Sequence, residues 1–322
     1  MDREERLNLI LSNTSEVITR EEIEGLLKTD SPLKAYAGYE PSGKIHLGHA
    51  ISVNKLIDLQ RAGAKVIVLL ADLHAHLNDK GSLTEIREVA EYNKECFIAL
   101  GLDANKTEFV LGSEIQLEGD YFLNVQRLAL TTTLLRARRS MDVISRVKEN
   151  PAVSMALYPL MQVADMIALN VNIAIGGLDQ RKIHMLARDN LPKLGITPPA
   201  FLHLPMIHGL DGDEKMSSSK GNFISIDDSS EEIEKKIKDA YCPMGSAQGN
   251  PVLEIYRYHI FPRSDEVVIK RPEKFGGDLR YNNYINLEKD FTKGAVHPAD
   301  LKNALSRELI RLLAPAREYF DK

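Results

Sequence analysis

Two short stretches carry residue types suited to polyphosphate chemistry. The first is His46-Leu47-Gly48-His49, placed after a short aromatic run and at the start of a helical pattern. A helix N-terminus offers unpaired N–H groups and the positive end of a dipole, which suits phosphate oxygens. Histidines three apart share a helical face and can donate to those oxygens. Gly48 would let an adenine or ribose lie against the backbone. The second stretch is Lys215-Met216-Ser217-Ser218-Ser219, in a Gly/Asp-rich segment beginning at Gly209. A lysine and hydroxyls on a loop can close over a polyphosphate and stabilise its leaving charge. Taken singly, each stretch also reads as a polar turn or linker. Two competing chemistries are weaker. Gly38 to Ile45 approaches the P-loop pattern, but Ile45 stands where a Mg²⁺-holding hydroxyl is needed, so a tight turn at Gly43 is the better reading. His46, His49, His74 and His76 have no carboxylate within either pair, which argues against a hydrolytic zinc site.

The elements that would position these residues follow from hydropathy periodicity. Lys34 to Glu40 reads as a strand, 45–61 as a helix stopped by Gly63, and 65–71 as a strand buried on both faces. A helix over 83–100, a strand over 107–111 and a long helix over 121–147 follow. Beyond them come a helix over 156–169, a strand over 171–175, a helix over 180–191 and a strand over 201–204. Residues 1–30 read as helical, with Thr19 and Glu22 forming a capping box. The alternation of strand and helix predicts a parallel α/β sheet. Near Asp227 the chain becomes charged and mostly helical, with helices at 233–241 and 298–319. A domain boundary is expected near 225.

Composition limits the function. Apolar residues at 43% and charged residues at 27% exclude a disordered chain or coiled coil. The formal charge of −5 leaves nucleic-acid contact to local patches. These patches are Arg136, Arg138 and Arg139; Arg181 and Lys182; and Lys270, Arg271 and Lys274. Two distant cysteines, Cys96 and Cys242, exclude a disulfide scaffold. No apolar run approaches a membrane span, and the charged first residues lack a signal-peptide core. A soluble cytoplasmic protein is expected.

The two phosphate stretches, in this order and about 165 residues apart across parallel-sheet elements, resemble the signatures of class I aminoacyl-tRNA synthetases. The general loop signature has a second lysine where this chain has Ser218, so which residue meets pyrophosphate is left open, with Lys220 a partial substitute. Further likeness lies in Tyr36 to Gly43, Leu70 to Ala75, Tyr158 to Asp165, and Gly176 to Lys182. Those segments are similar to the tyrosyl-tRNA synthetases of archaeal and eukaryotic type. The resemblance implies a Rossmann-like parallel-sheet catalytic domain over 1–225. It also implies a mostly helical anticodon-binding domain over 226–322, and an insertion around 113–145 that serves dimerisation and the acceptor stem.

The same resemblance assigns residues. Tyr36 and Asp165 would hydrogen-bond a substrate phenol; Tyr158, Gln162 and Gln180 would hold its ammonium group. Tyr158, Gln162 and Asp165 do fall on one helix face, at i, i+4 and i+7. An acceptor carboxylate beside a tyrosine hydroxyl suits a phenol O–H. His46 and His49 would contact the phosphates of ATP, Gly48 its adenosine and Met216 its adenine. Lys215 and Ser217, Ser218 and Ser219 would hold pyrophosphate, with Mg²⁺ arriving on ATP. Arg139 and Arg181 would meet the acceptor end of tRNA(Tyr), Phe275 and Asp300 its anticodon. The implied assembly is a homodimer, with no membrane partner. The implied reaction is formation of tyrosyl-adenylate, then transfer of the tyrosyl group to tRNA.

Overall fold

A computed structural model describes residues 1–29, 31–141 and 152–320. The chain divides into two compact units: residues 1–43 with 52–205, and residues 44–51 with 206–322.

The first unit holds a six-stranded sheet. Its strands are β1 (Glu16–Ile18), β2 (Lys34–Tyr39), β3 (Lys65–Leu70), β4 (Thr107–Leu111), β5 (Ile173–Gly177) and β6 (Ala200–Leu204). They lie in the order β1-β6-β5-β2-β3-β4. All neighbours are parallel except β1, which runs antiparallel to β6. In β3 every position after Lys65 is buried, as a parallel strand covered on both faces requires. The chain builds outward from β2 through β3 to β4, then returns to the other side of β2 with β5 and β6. The carboxyl ends of β2 and β5 therefore meet at the reversal of strand order, where open α/β sheets bind ligands. Gly38 and Tyr39 end one of those strands, Gly176 and Gly177 the other.

Among the described residues, ten α-helices accompany these strands. They are α1 (Arg3–Leu11), α2 (Arg20–Leu26), α3 (Leu47–Arg61), α4 (Asp72–Leu77) and α5 (Leu83–Ala99), then α6 (Gly112–Gln116), α7 (Gly119–Thr131), α8 (Leu134–Ser140), α9 (Ser154–Ala168) and α10 (Arg181–Asn190). The first residues of α3 belong to the second unit. Val125 and Leu128 of α7, Val163 of α9, and Ile183 and Leu186 of α10 pack with Ile67, Leu69, Ala174 and Phe201 of the sheet. Thr19 and Glu22 form the expected capping box at the start of α2. The ammonium of Lys55, buried in α3, donates to the Leu9 carbonyl at 2.9 Å and to Ser12 Oγ at 3.2 Å, which ties α3 to the end of α1.

Two expectations change here. The helix anticipated over 121–147 is broken: α7 ends at Thr131, Thr132 is extended (φ −114°, ψ 126°), and Thr133 caps α8 by accepting from the Arg136 N–H. Threonine loses rotamer freedom in a helix and its hydroxyl competes for backbone donors, so three in succession favour a break and a new cap. Residues 142–147 of that expectation lie outside the described residues, as does the end of the anticipated 113–145 insertion. Residues 16–18, read as part of a helical stretch, form the edge strand β1.

The second unit contains α11 (Ser230–Asp239), α12 (Pro251–Ile255), α13 (Tyr284–Thr292) and α14 (Pro298–Phe320). Ser229 and Glu232 cap α11 reciprocally, and α11 packs on α14. A π-turn over Tyr256–Ile260 extends α12, and a hairpin of β7 (Val267–Ile269) with β8 (Leu279–Tyr281) interrupts the helices. Neither was visible in the sequence pattern.

Candidate active site

The first unit places Tyr36, Asp165, Tyr158, Gln162 and Gln180 around the carboxyl ends of β2 and β5. Tyr36 is 2% exposed. A Cβ on Gly38 would stand 2.7 Å from its hydroxyl, so glycine two residues on keeps room for the phenol of Tyr36. Burial first, then the Asp165 charge, holds the Tyr36 hydroxyl well above its ordinary pKa, so it stays protonated.

Asp165, on α9, is 1% exposed. Its Oδ1 accepts from Gln116 Nε2 at 2.8 Å, and the Tyr121 hydroxyl lies 2.8 Å from the same oxygen. Burial raises its pKa, while His74, Gln116 and Tyr121 pull in the other direction. Gln116 also reaches His74 Nδ1 at 3.1 Å. The Gln116 amide nitrogen spends its two hydrogens on Asp165 Oδ1 and His74 Nδ1. His74 Nδ1 is then an acceptor, so in the neutral ring Nε2 carries the hydrogen. That nitrogen lies 3.7 Å from Asp165 Oδ2, beyond hydrogen-bond reach. Both atoms are buried without a hydrogen-bond partner, and so is Gln116 Oε1. Buried polar atoms are rarely left unpaired. A donor Nε2–H and an acceptor Oδ2 facing one gap fit a hydroxyl that accepts from one and donates to the other.

Toward the other end of the same helix face, Tyr158 donates its hydroxyl to Glu40. Glu40 also accepts from Asn78 at 3.1 Å. Gln162 Nε2 donates to Gln180 Oε1 at 3.2 Å. The Tyr158 ring meets the His74 ring edge-on at 4.6 Å, which links the two ends. Sequence reasoning missed Gln116, Tyr121 and Glu40 as site residues. It weighed His74 as a metal ligand, whereas His74 is bound by Gln116 and His76 contacts the Gly81 carbonyl at 3.0 Å. Among the described residues, no group of three or more His, Cys, Asp or Glu side chains could hold a metal ion.

The second unit brings the two phosphate stretches together. The Leu47 N–H donates to the Ile224 carbonyl at 3.0 Å, and the Ile226 N–H to the Ile45 carbonyl at 3.1 Å. His46 forms a bridge with Ser225. His46 Nδ1 accepts from the Gly48 N–H at 3.1 Å, which folds the ring back over the turn. A Cβ on Gly48 would fall 2.8 Å from that ring and 3.8 Å from the Met216 Cβ, so only glycine fits between them. The His46 and His49 rings lie 4.0 Å apart. Burial, then His49 and the Lys215 charge, pushes His46 down to about 2. Burial, then Lys215, pushes His49 down to about 4. Both rings are therefore neutral at pH 7, each with one N–H to give. His259, on the π-turn, hydrogen-bonds the Leu47 main chain.

The serine loop is held from behind. Met216 is buried, with its N–H on the Ile207 carbonyl at 2.9 Å. The Ser217 N–H donates to Asn222 at 2.9 Å, and the Ser217 and Ser219 hydroxyls are 3.0 Å apart. Ser218 begins a short 3₁₀ turn that left-handed Gly221 closes. Lys220 pairs with Asp213, and Lys44 with Asp227 at 3.6 Å. Gly43 has φ +123°, a backbone conformation that favours glycine at this turn.

The anticipated RNA residues lie on surfaces. Arg139 is exposed in the last turn of α8, and Arg181 starts α10. Phe275 is 61% exposed on a 3₁₀ turn, with Lys274 Nζ 5.0 Å from its ring centroid. Asp300, half-buried, sits in the first turn of α14.

Known proteins are similar to this chain in sequence and arrangement. A sequence model of the family described as "tRNA synthetases class I (W and Y)" matches residues 28–314. The tyrosine–tRNA ligase of Methanopyrus kandleri is 60% identical over 318 residues, covering 99% of this chain and 98% of that protein. That of Methanosarcina acetivorans is 55% identical, covering 98% and 99%. The crystal structure of tyrosyl-tRNA synthetase from Archaeoglobus fulgidus, complexed with L-tyrosine, superposes with a TM-score of 0.95 at 56% identity, covering 99% of each chain. The tryptophanyl-tRNA synthetase of Plasmodium falciparum, at 19% identity and TM-score 0.74, shares the fold. With a family match over most of its length and full-length relatives above half identity, the chain belongs to the class I tRNA synthetases of the tryptophanyl and tyrosyl family, on the archaeal tyrosine–tRNA ligase branch.

Proposed function

We propose that this chain is a tyrosine–tRNA ligase: it activates L-tyrosine with ATP and transfers the tyrosyl group to the 3′ end of tRNA(Tyr). The observation that carries the substrate is the gap between His74 Nε2 and Asp165 Oδ2, two buried orphan atoms of opposite hydrogen-bonding sense. A phenol hydroxyl satisfies both; Tyr36 beside it supplies a third polar contact. At the other end, Glu40 supplies negative charge near Tyr158, which supports an ammonium there together with Gln162 and Gln180.

The tyrosine carboxylate is already anionic, so its attack on the α-phosphorus of ATP needs no general base. Pyrophosphate leaves with the electron pair of the broken P–O bond. Catalysis then rests on positioning and on stabilising phosphate charge. In this reading the neutral N–H groups of His46 and His49 meet the phosphates. Lys215 with Ser217, Ser218 and Ser219 holds the departing pyrophosphate. Gly48 and Met216 flank the adenosine. Mg²⁺ enters as MgATP, carried by the phosphate oxygens. In the second step the terminal ribose hydroxyl attacks the acyl carbon and AMP leaves.

We place acceptor-end binding on Arg139 and Arg181, and anticodon binding on Phe275 and Asp300 within an anticodon module over 226–322. A homodimer is supported by Leu117, Phe122, Leu130, Leu134 and Leu135, exposed apolar residues within the 113–145 segment. A cytoplasmic location is in keeping with this reading, since tRNA charging serves translation there. Among the described residues no helix is long and apolar enough to cross a membrane.

The test is ATP–pyrophosphate exchange by the purified protein. Exchange is expected with tyrosine and not with phenylalanine or tryptophan; comparable exchange with tryptophan would sink the assignment. A second measurement tests the anticodon reading. Stacking on an aromatic contributes about 1–3 kcal/mol per base, so Phe275→Ala is expected to weaken aminoacylation roughly 10- to 100-fold. Exchange, which needs no tRNA, should hold relative to it. Parallel loss of both activities would make Phe275 a structural residue instead.

A further inference from the structure

Arg181 is the first residue of α10, where the helix dipole disfavours a cation. Glu16 compensates. Arg181 Nε donates to Glu16 Oε2 at 2.7 Å and Nη2 to Glu16 Oε1 at 3.0 Å. This is a side-on pairing: it uses Nε and one hydrogen of Nη2. A guanidinium has five N–H donors, so the end-on fork, made of Nη1 and the second Nη2 hydrogen, is left over. No described residue accepts from Nη1 of Arg181. Arg188, two turns along the same helix, is the contrast. Its Nη1 and Nη2 both go to Glu22, at 3.0 and 2.7 Å, so its end-on fork is consumed.

Glu16 is itself fixed from below. It stands opposite His203 in the β1–β6 register. His203 Nδ1 lies 2.8 Å from Glu16 Oε2, and His203 Nε2 lies 2.9 Å from His184 Nδ1. Both histidines are fully buried. The His184 ring also stacks between Phe201 at 4.8 Å and His203 at 5.0 Å. The carboxylate fixes every tautomer along this chain. His203 gives its Nδ1–H to Glu16, so its Nε2 accepts, and His184 gives its Nδ1–H to His203. Burial keeps both rings below their ordinary pKa, in accord with this neutral arrangement.

We propose that Glu16, anchored by His203 and His184, is a positioning residue that holds the Arg181 guanidinium with its end-on fork turned outward for a bidentate acceptor of the tRNA acceptor end. This rests on the reading of Arg181 as a tRNA contact. The fork matches two coplanar acceptors, as a phosphate or a purine edge offers. A free arginine must give up rotamer freedom when it binds; a guanidinium already held by Glu16 does not.

The test is a double-mutant cycle of Glu16→Gln and Arg181→Ala, read as KM for tRNA in aminoacylation, with exchange on the same preparations as the control for an intact site. Glu16→Gln is expected to raise KM for tRNA by roughly 3- to 10-fold, the cost of immobilising one long side chain. In the Arg181→Ala background the same change should add nothing, because Glu16 acts through Arg181. Tighter tRNA binding by Glu16→Gln would overturn the proposal and make the carboxylate a competitor of the RNA. Additive losses would overturn it in favour of a general structural role for β1. Unchanged KM in Arg181→Ala would overturn the RNA reading of Arg181, and the proposal with it. Loss in Arg181→Ala with none in Glu16→Gln would overturn the proposal alone. A tRNA with an exchanged first base pair identifies the acceptor: an equal Glu16→Gln effect on both tRNAs supports a phosphate, and an effect confined to the native pair supports a base edge.

Discussion

Asp165→Ala is expected to erode the preference for tyrosine over phenylalanine by roughly 10- to 150-fold. The figure follows from the bond removed. A hydrogen bond to a charged group contributes about 1.5–3 kcal/mol, and about 1.4 kcal/mol is tenfold. In the native pocket phenylalanine leaves both Asp165 Oδ2 and His74 Nε2 buried and unpaired, as they stand without substrate. Tyrosine pairs both. Among tyrosyl enzymes the resulting rejection of phenylalanine reaches about 10⁵, a magnitude of the family and not one derived from this geometry. Alanine at 165 removes the acceptor while His74 and Tyr36 remain, so discrimination falls without vanishing. The same change strips the acceptor from Gln116 Nε2 and leaves the Tyr121 hydroxyl with the Met161 carbonyl at 2.8 Å. Some stability is lost as well. The measurement is therefore the ratio of kcat/KM for tyrosine to that for phenylalanine in exchange, in which folded fraction cancels. A ratio equal to the wild type would show that Asp165 does not read the hydroxyl.

How much of this pocket the sequence discloses depends on distance along the chain. Tyr158, Gln162 and Asp165 are readable because one helix fixes their relative positions at i, i+4 and i+7. The strand β3 is readable because burial on both faces leaves an uninterrupted apolar run. Gln116 and Tyr121 are not readable. They reach Asp165 from 49 and 44 residues away, and nothing local marks a glutamine as the group that orients both a carboxylate and an imidazole. The Glu16–His203–His184 chain depends on a three-residue edge strand pairing across 187 residues, and three residues give no periodicity to detect. The break at Thr132 had a local signal in Thr131-Thr132-Thr133, outweighed by the helical pattern on either side. The spacing of His74 from His76 raises a metal reading that the missing carboxylate argues against, and positions two apart on one short helix turn the two rings to different partners.

The second large effect is expected at the phosphate stretches: His49→Ala and Lys215→Ala should each slow adenylate formation by about 10²- to 10³-fold, as loss of one preorganised donor to a developing anion does. Tyrosine affinity should change far less, since the residues that would hold tyrosine lie on other elements. The two substitutions differ in kind. Lys215 brings a full charge. His49 is neutral in the resting protein, its pKa pushed down to about 4 by burial and by Lys215. It brings one N–H dipole in a site where water is displaced. Polyphosphate opposes that depression through charge: the anion offsets the Lys215 ammonium and favours the protonated ring, so the His49 pKa rises when ATP binds. Binding of ATP should accordingly take up protons as pH falls toward the resting value, and His49→Ala should remove part of that uptake. Lys215→Ala should remove a different part: with the repelling ammonium gone, His49 starts from a higher pKa and has less far to rise. Rapid-quench measurement of adenylate formation, with proton uptake followed by calorimetry in buffers of different ionisation enthalpy, separates these contributions. A rate of adenylate formation unchanged in both variants would refute the assignment of the two stretches to phosphate chemistry. Equal loss of rate and of tyrosine affinity would instead mean that both substitutions disturb the packing of the turn, where even a Cβ on Gly48 would meet His46 and Met216.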